Sequence, residues 1–421
     1  MANHQFALDS VQPTPMNART MKLFPAFSLW LGSNVVVTTV YTGQLLVPDI
    51  SYLTALCVIL FGSLVGAIFL VLTGNIGTRT GLPTMVLTRG AFGTRGAHLP
   101  SLLNTIVLIG WSWVQAYMGE LSIDHAVKYL TGYSNINFWT VFTQVMVVLI
   151  TIYGHKGIET FASLAAHFMV ILVFLLFGYL FTEYNVGDLI HLPTSHNPTN
   201  TVITGFDIVV ATAFSWLPLA CDYNRNATSS KTGIIGTYAG YNIGTFLAMA
   251  LGATVSGLSI LSHMTQTYDP TDIIGSKHPW LGLLPALIIF ISVVSTNVMA
   301  LYSSTMSYLA VFQKQKYLVT TIVIGVITIL GALLKGWLLD HFENFLLMIG
   351  TLLIPVGALL IVDYYLLKRG YYDPDEIING TKKLYWYFKG FNVYTYISIS
   401  LEQDSDTISH MSMFFPQDLQ Y

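Results

Sequence analysis

Two clusters carry the side chains best suited to chemistry. Gly110-Trp111-Ser112-Trp113-Val114-Gln115 sets an indole and an amide four positions apart, which stacks Trp111 and Gln115 on one face of a helix. An indole is a flat apolar platform and an amide both donates and accepts, a pair that suits a planar ring with amide-like edges. The competing reading is plain packing, with Trp111 wedged between helices and Gln115 bonded across them. Ser295-Thr296-Asn297 places three oxygen-bearing side chains in an otherwise apolar stretch. Hydroxyls there, facing free backbone carbonyls, would hold a hard monovalent cation such as sodium. Bonded back to their own helix they would do nothing further.

Free carbonyls require interrupted helices, and two interruptions are visible. Gly32-Ser33-Asn34 lies inside one apolar segment and Ser215-Trp216-Leu217-Pro218 inside another. Glycine permits unusual dihedrals, and proline removes a donor and clashes with the preceding turn. The two lie 183 positions apart, and Trp111 and Thr296 lie 185 apart, as a repeat of five helices would give. Read singly, each is also an ordinary kink or packing site.

Ionisable groups are costly at membrane depth and therefore informative. Glu120 and Asp124 fall at the outer end of the third apolar segment, where a solvated role is expected, and Asp207 near the outer start of the sixth. Asp222 and Arg225 close the inner end of that segment. His167, deeper in the fifth, reads either as a hydrogen-bonded packing residue or as part of a proton path. Asp363 anchors the inner end of the tenth.

The elements that must position these residues are membrane helices. The 421 residues are 53% hydrophobic and 9% charged, against about 25% charged in soluble chains. Ten apolar segments are expected, at 25–46, 53–73, 99–122, 138–154, 159–182, 201–221, 233–261, 281–311, 317–339 and 343–367, each near the span of a bilayer. No period-two alternation suggests a β-barrel. With the N-terminus cytoplasmic, fifteen of the eighteen Lys and Arg residues fall inside, and Lys128, Lys277 and Lys335 fall outside. This asymmetry supports both the count and a multi-pass protein of the inner, cytoplasmic membrane with its N-terminus inside. Residues 1–23 form a cytoplasmic tail without a secretory signal, 73–100 an interfacial cytoplasmic loop, and 371–421 a second cytoplasmic tail. Cys57 and Cys221 have no metal or disulfide spacing and are expected to be buried packing residues. A phosphate-binding loop, a nucleophile elbow and an H-E-x-x-H motif are all missing, so ATP hydrolysis and enzymatic work are not expected. No cofactor or nucleic-acid partner is suggested.

The run Thr73-Gly74-Asn75-Ile76-Gly77-Thr78-Arg79-Thr80-Gly81-Leu82-Pro83, through Arg89-Gly90-Ala91-Phe92-Gly93-Thr94-Arg95-Gly96 to Leu99-Pro100-Ser101, resembles the loop between helices 2 and 3 of the nucleobase-cation symporter family. Bacterial cytosine permeases are the branch it most resembles. Gly110-Trp111, Asp222-Tyr223-Asn224-Arg225, Ser295-Thr296-Asn297 and Ile354-Pro355-Val356-Gly357 with Asp363-Tyr364 extend the likeness over residues 24 to 370.

That resemblance implies an all-α polytopic protein with a five-plus-five inverted-repeat core of the leucine-transporter type. Repeat one is expected at about 24–182 and repeat two at about 201–370, with helices 1 and 6 broken. It implies a substrate site between helices 1, 3, 6 and 8, with Trp111 stacking on the base beside Gln115, Ser33, Asn34, Ser215 and Asn297. Gln115 falls where hydantoin-transporting relatives place a binding glutamine and cytosine permeases a glycine. The stacking aromatic of helix 6 falls on Ala213, so Phe214 or Trp216 would supply the ring. Sodium would take the Ser295 and Thr296 hydroxyls with carbonyls of Gly32 and Val35. Relatives carry two more helices after the tenth, and residues 392–398 begin like an eleventh before the sequence turns polar, as in a truncated remnant. The expected function is cation-coupled import of a pyrimidine-type base, cytosine first, by alternating access with sodium or a proton. The alternatives are a carrier of hydroxymethylpyrimidine or a hydantoin- or allantoin-like compound, and a non-transporting receptor or degraded paralogue.

Overall fold

The computed structural model describes residues 10–264, 266–267, 269–333 and 342–400. Among these the chain is helical and contains no strand beyond two isolated bridges. The 401–421 part of the expected tail and residues 1–9 lie outside the described residues.

The first apolar segment is two helices, α1 (Leu23–Asn34) and α2 (Val37–Gln44), bent by 54°. The break falls at Val35 and Val36, slightly beyond the expected Gly32-Ser33-Asn34, and Gly32 itself is helical. Val36 is extended (φ −134°, ψ 154°), a conformation that β-branched residues favour. Gly32 has another reason to be small: a Cβ there would lie 3.1 Å from the Ala162 carbonyl oxygen.

Next come α3 (Tyr52–Thr80), α4 (Thr84–Phe92), α5 (His98–Thr131), α6 (Ile136–Thr151) and α7 (Gly154–Glu183). Glycines in the left-handed region, Gly81 (φ 75°) and Gly132 (φ 75°), end α3 and α5. After the short α8 (Val186–Ile190), the sixth segment comprises α9 (Val202–Phe214), a 3₁₀ turn at Leu217–Leu219 and α10 (Ala220–Asn224). Pro218 has no N–H to return to the Phe214 carbonyl, and the chain there tightens, with Leu219 N–H bonding to the Trp216 oxygen at 3.2 Å. The second half continues through α11 (Ser230–Leu261), α12 (Pro270–Lys277), α13 (Pro279–Val311), α14 (Tyr317–Ala332), α15 (Phe342–Val362) with a π turn at Asp363–Leu367, and α16 (Pro374–Asn379).

Among the described residues five helical segments are long and apolar enough to cross a membrane by themselves, and the bent α1–α2 pair makes a sixth. At the other expected positions stand the 34-residue α5 and the apolar helices α6, α14 and α15. α11 splints the broken first segment. A Cβ on Gly240 would lie 2.3 Å from the Phe27 carbonyl oxygen of α1, and one on Gly252 1.8 Å from that of Val40 in α2. Only glycine admits both halves at that distance.

Three expectations need correction. Most of the predicted interfacial loop 73–100 is interior: residues 73–80 prolong α3 and every residue of α4 is buried, while the corner at Arg95, His98 and Leu99 is exposed. The Asp222 carboxylate accepts from Thr84 N (2.8 Å), and Arg89 donates to the Ala310 carbonyl (2.6 Å), so the interior satisfies these polar groups. Glu120 and Asp124 are buried rather than solvated. Asp124 accepts from Ser134 Oγ (2.6 Å) and Asn135 N (2.7 Å), fixing the start of α6. Cys57 is exposed on the outer face of α3, whereas Cys221 is buried as expected.

The described parts of both tails are folded. Met21 pairs with the chain beyond α10, its N–H bonding to the Asn226 oxygen and its oxygen accepting from Thr228 N, both at 3.0 Å. Tyr372, buried, donates to Asp363 at 2.5 Å.

Candidate substrate cavity and cation site

Where α2, α5, α9 and α13 converge at the two breaks, they enclose a cavity of about 60 Å³. That exceeds the roughly 10–15 Å³ one water needs. Of the residues singled out by spacing and resemblance, Trp111, Gln115, Ser215, Trp216 and Thr296 line it. Gln115 is 3% exposed and its Oε1 has no hydrogen-bond partner among the described residues. A buried carbonyl oxygen left without a donor is costly, so one aimed at a cavity marks a place where a ligand donor fits.

The two indoles are held differently. Trp111 packs edge-to-face with Phe345, their centroids 5.5 Å apart. Trp216 packs edge-to-face with Trp30 at 5.7 Å, and Trp30 is fixed by its Nε1–H bond to Asn224 Oδ1 (2.9 Å). Trp216 is thus the ring that the sixth segment presents to the cavity. Phe214 turns away and packs edge-to-face on Phe69 at 5.2 Å, and Ala213 is buried where a Cβ on Gly66 would lie 2.6 Å from its own.

Ser33, Asn34 and Asn297 do not line the cavity. Ser33 Oγ and Asn34 Nδ2 both donate to the Trp30 carbonyl, at 3.0 and 2.7 Å. Asn297 joins α13 to its neighbours: its Oδ1 accepts from Ser112 Oγ (2.6 Å) and its Nδ2 donates to Gln144 Oε1 (3.0 Å). It therefore fixes the face of α5 from which Trp111 and Gln115 project.

Residues not singled out in the sequence complete the wall. Thr38, Thr39 and Thr42 of α2 and Thr212 of α9 bring hydroxyls, and Val36, Leu108, Leu219 and Ala300 bring apolar surface. The signal available was the spacing of Thr38 and Thr39, four and three positions before Thr42, which puts all three on one helical face.

The break frees carbonyls of α1 toward α13. Ser292 Oγ donates to the Val35 oxygen (2.5 Å), and Thr296 Oγ1 lies 3.4 Å from the Ser33 oxygen. Ser295 Oγ, in a residue 1% exposed, has no partner among the described residues. Thr296 Oγ1 also bonds back to the Ser292 oxygen of its own helix (3.2 Å), and hydroxyl and carbonyl oxygens gathered in this way are the ligand type that a hard monovalent cation takes. Ser292 was not anticipated, although it precedes Thr296 by one helical turn.

The remaining candidates lie elsewhere. His167 is exposed beside the Phe24 ring (5.4 Å), and Asp207 is exposed on α9. At the far end of α5, His125 meets Asp272 Oδ1 at 3.0 Å and Asp269 Oδ2 at 3.4 Å, joining α5 to α12.

Comparison with known proteins places the family and the fold. The purine-uracil permease NCS1 of Arabidopsis thaliana is 25% identical over 93% of this chain and 69% of its own length. The cytosine permease of Escherichia coli K12 is 26% identical over 85% of this chain and 81% of its own. The structure of Mhp1, a nucleobase-cation-symport-1 family transporter in a closed conformation with bromovinylhydantoin bound, superposes with a TM-score of 0.83 over 96% of this chain and 90% of that one, at 19% identity. The fold is therefore the inverted-repeat transporter fold, and the proteins that share it here are permeases rather than enzymes. Residues 13–401 match the family described as permeases for cytosine/purines, uracil, thiamine and allantoin, and the chain belongs to that family of multi-pass membrane transporters.

Proposed function

We propose that this chain is a secondary transporter that imports a pyrimidine-type base, cytosine first, coupled to sodium by alternating access. The observation that carries the reading is the cavity itself: two indoles and the unpaired Gln115 Oε1 surround it at the point where two helices break. A planar base slotted against Trp111 and Trp216 gains stacking, worth about 1–3 kcal/mol per base by comparison with other base–aromatic contacts. A ring N–H or exocyclic amine would satisfy Gln115, and the threonine hydroxyls offer donors or acceptors to the other edge. The small cavity favours a single ring.

Sodium would sit between the Val35 and Gly32 carbonyls and the hydroxyls of Ser295 and Thr296, with Ser292 as a further oxygen. Filling it would straighten the carbonyl-rich end of α1 against α13 and so favour the substrate-competent cavity, which is how two bound species become coupled. With the N-terminus inside, as the positive charges indicate, import runs toward the face that carries Arg19, Arg89 and Arg225.

Gln115 supports a second reading, a hydantoin- or allantoin-like substrate, because those rings present an imide edge to an amide side chain. Radiolabelled cytosine uptake into cells expressing this chain, with sodium replaced by choline, tests the proposal. Saturable uptake that collapses in choline is expected. Uptake that persists in choline contradicts sodium coupling. Uptake of labelled allantoin but not of cytosine favours the second reading, and no uptake of either at normal membrane levels favours a protein that does not transport.

A further inference from the structure

At the start of α5 lies an open groove of about 760 Å³ that shares no lining residue with the substrate cavity. Arg95, His98, Leu99, Leu102, Phe391 and Tyr396 line it, and no acidic side chain among the described residues does. Its walls are built rather than loose. The Gly390 carbonyl accepts from Arg95 N (2.9 Å) and Gly96 N (3.1 Å), Thr395 Oγ1 donates to the Ala91 oxygen (2.7 Å), and the Tyr396 hydroxyl donates to the Gly96 oxygen (2.7 Å).

The groove is polarised along α5. Arg95 and His98 are exposed at one end, and exposed Lys389 stands on the adjoining turn that pairs Phe388 with Phe391. The Arg95 guanidinium lies over the Trp386 ring, 5.1 Å from its centroid, which sets it at the mouth. Toward the membrane interior the floor turns apolar, with Leu99 54% and Leu102 37% exposed. Basic and aromatic groups followed by aliphatic ones at the boundary of a membrane span match an amphiphile with an anionic head.

We propose that this groove binds one anionic phospholipid, its phosphate at Arg95 and Lys389 and an acyl chain along Leu99 and Leu102. The assignment rests on the start of α5 lying at the membrane surface, and not on which solute the cavity carries. A lipid seated there ties the turn at 388–391 to the corner between α4 and α5.

Full-length protein in detergent, mixed with phosphatidylglycerol or phosphatidylcholine and weighed by native mass spectrometry, tests this without any transport. The wild type should retain phosphatidylglycerol in clear preference to phosphatidylcholine, and the preference should fall with added salt. Arg95→Gln with Lys389→Gln should lower retention of phosphatidylglycerol about tenfold and leave that of phosphatidylcholine unchanged. Equal retention of the two lipids by the wild type overturns the proposal, whether or not the double variant folds. A double variant with an unchanged melting temperature and undiminished phosphatidylglycerol also overturns it.

Discussion

The two broken segments that meet at the cavity are broken in different ways and expose different things. In the first, Val35 leaves the helical region (φ −81°, ψ 71°), Val36 is extended, and the axis turns by 54°. What that break presents is main chain: the Ser33 and Val35 oxygens, met by hydroxyls of α13. In the sixth, Pro218 only tightens the helix into a 3₁₀ turn, and what emerges is a side chain, Trp216, braced by Trp30. The wide bend exposes carbonyl oxygens, and the slight one re-aims an aromatic ring toward the cavity. Division of labour between main chain and side chain follows from how sharply each helix is interrupted.

The comparison breaks first at the aromatic side. Trp216→Ala and Trp111→Ala should each weaken base binding about tenfold to a hundredfold, the worth of one stacked ring. Lys128→Ala, remote from the cavity, should leave binding unchanged, and scintillation-proximity binding to purified protein measures all three. Equal losses in the three variants would dissolve the distinction between the segments.

Next comes the splint behind the first break. Gly252→Ala places a methyl where 1.8 Å separates it from the Val40 oxygen, so α2 must move off α11. A destabilisation of about 1–3 kcal/mol is expected, seen as a lower melting temperature. Gly380→Ala, where no atom lies within 4 Å, isolates the cost of a left-handed glycine (φ 63°) from that of crowding and should cost about 1 kcal/mol.

The smallest effect concerns His125, at the end of α5 beyond the span 99–122. Hydrogen bonds to Asp269 and then Asp272 raise it from its ordinary 6.5 to about 10. A group raised on folding stabilises fully below its unfolded value and loses that contribution as pH rises through the folded one. Melting temperature should therefore fall between pH 7 and pH 10 in the wild type and stay flatter in His125→Gln. Parallel curves would show that the clamp between α5 and α12 contributes nothing.

The helices and their order were legible because charge is scarce and one-sided: Arg79, Arg89, Arg95 and Arg225 against Lys128 and Lys277 sort the helix ends into two groups. Trp111, Gln115 and Thr296 were legible because helical spacing projects onto faces. What escaped depends on tertiary packing. Glycine and asparagine at 32–34 looked like the break, yet Gly32 is small for its neighbour Ala162, and Val36 carries the extended backbone. Asp124 and α4 looked superficial because hydropathy does not register polar groups satisfied inside a fold, as Asp124 is by Ser134 and Asn135. Ser292 and the α2 threonines escaped because a lone hydroxyl in an apolar helix usually bonds back to its own turn, as Thr42 does to Thr38 at 2.9 Å.

Equilibrium binding of tritiated cytosine to the purified protein, titrated with sodium at constant ionic strength, tests the central claim most directly when run on the wild type and on Ser295→Ala. Sodium should tighten cytosine binding several-fold in the wild type and have little effect in the variant, whose sodium-free affinity should match. A wild-type affinity indifferent to sodium, or a variant that responds as strongly, contradicts the account.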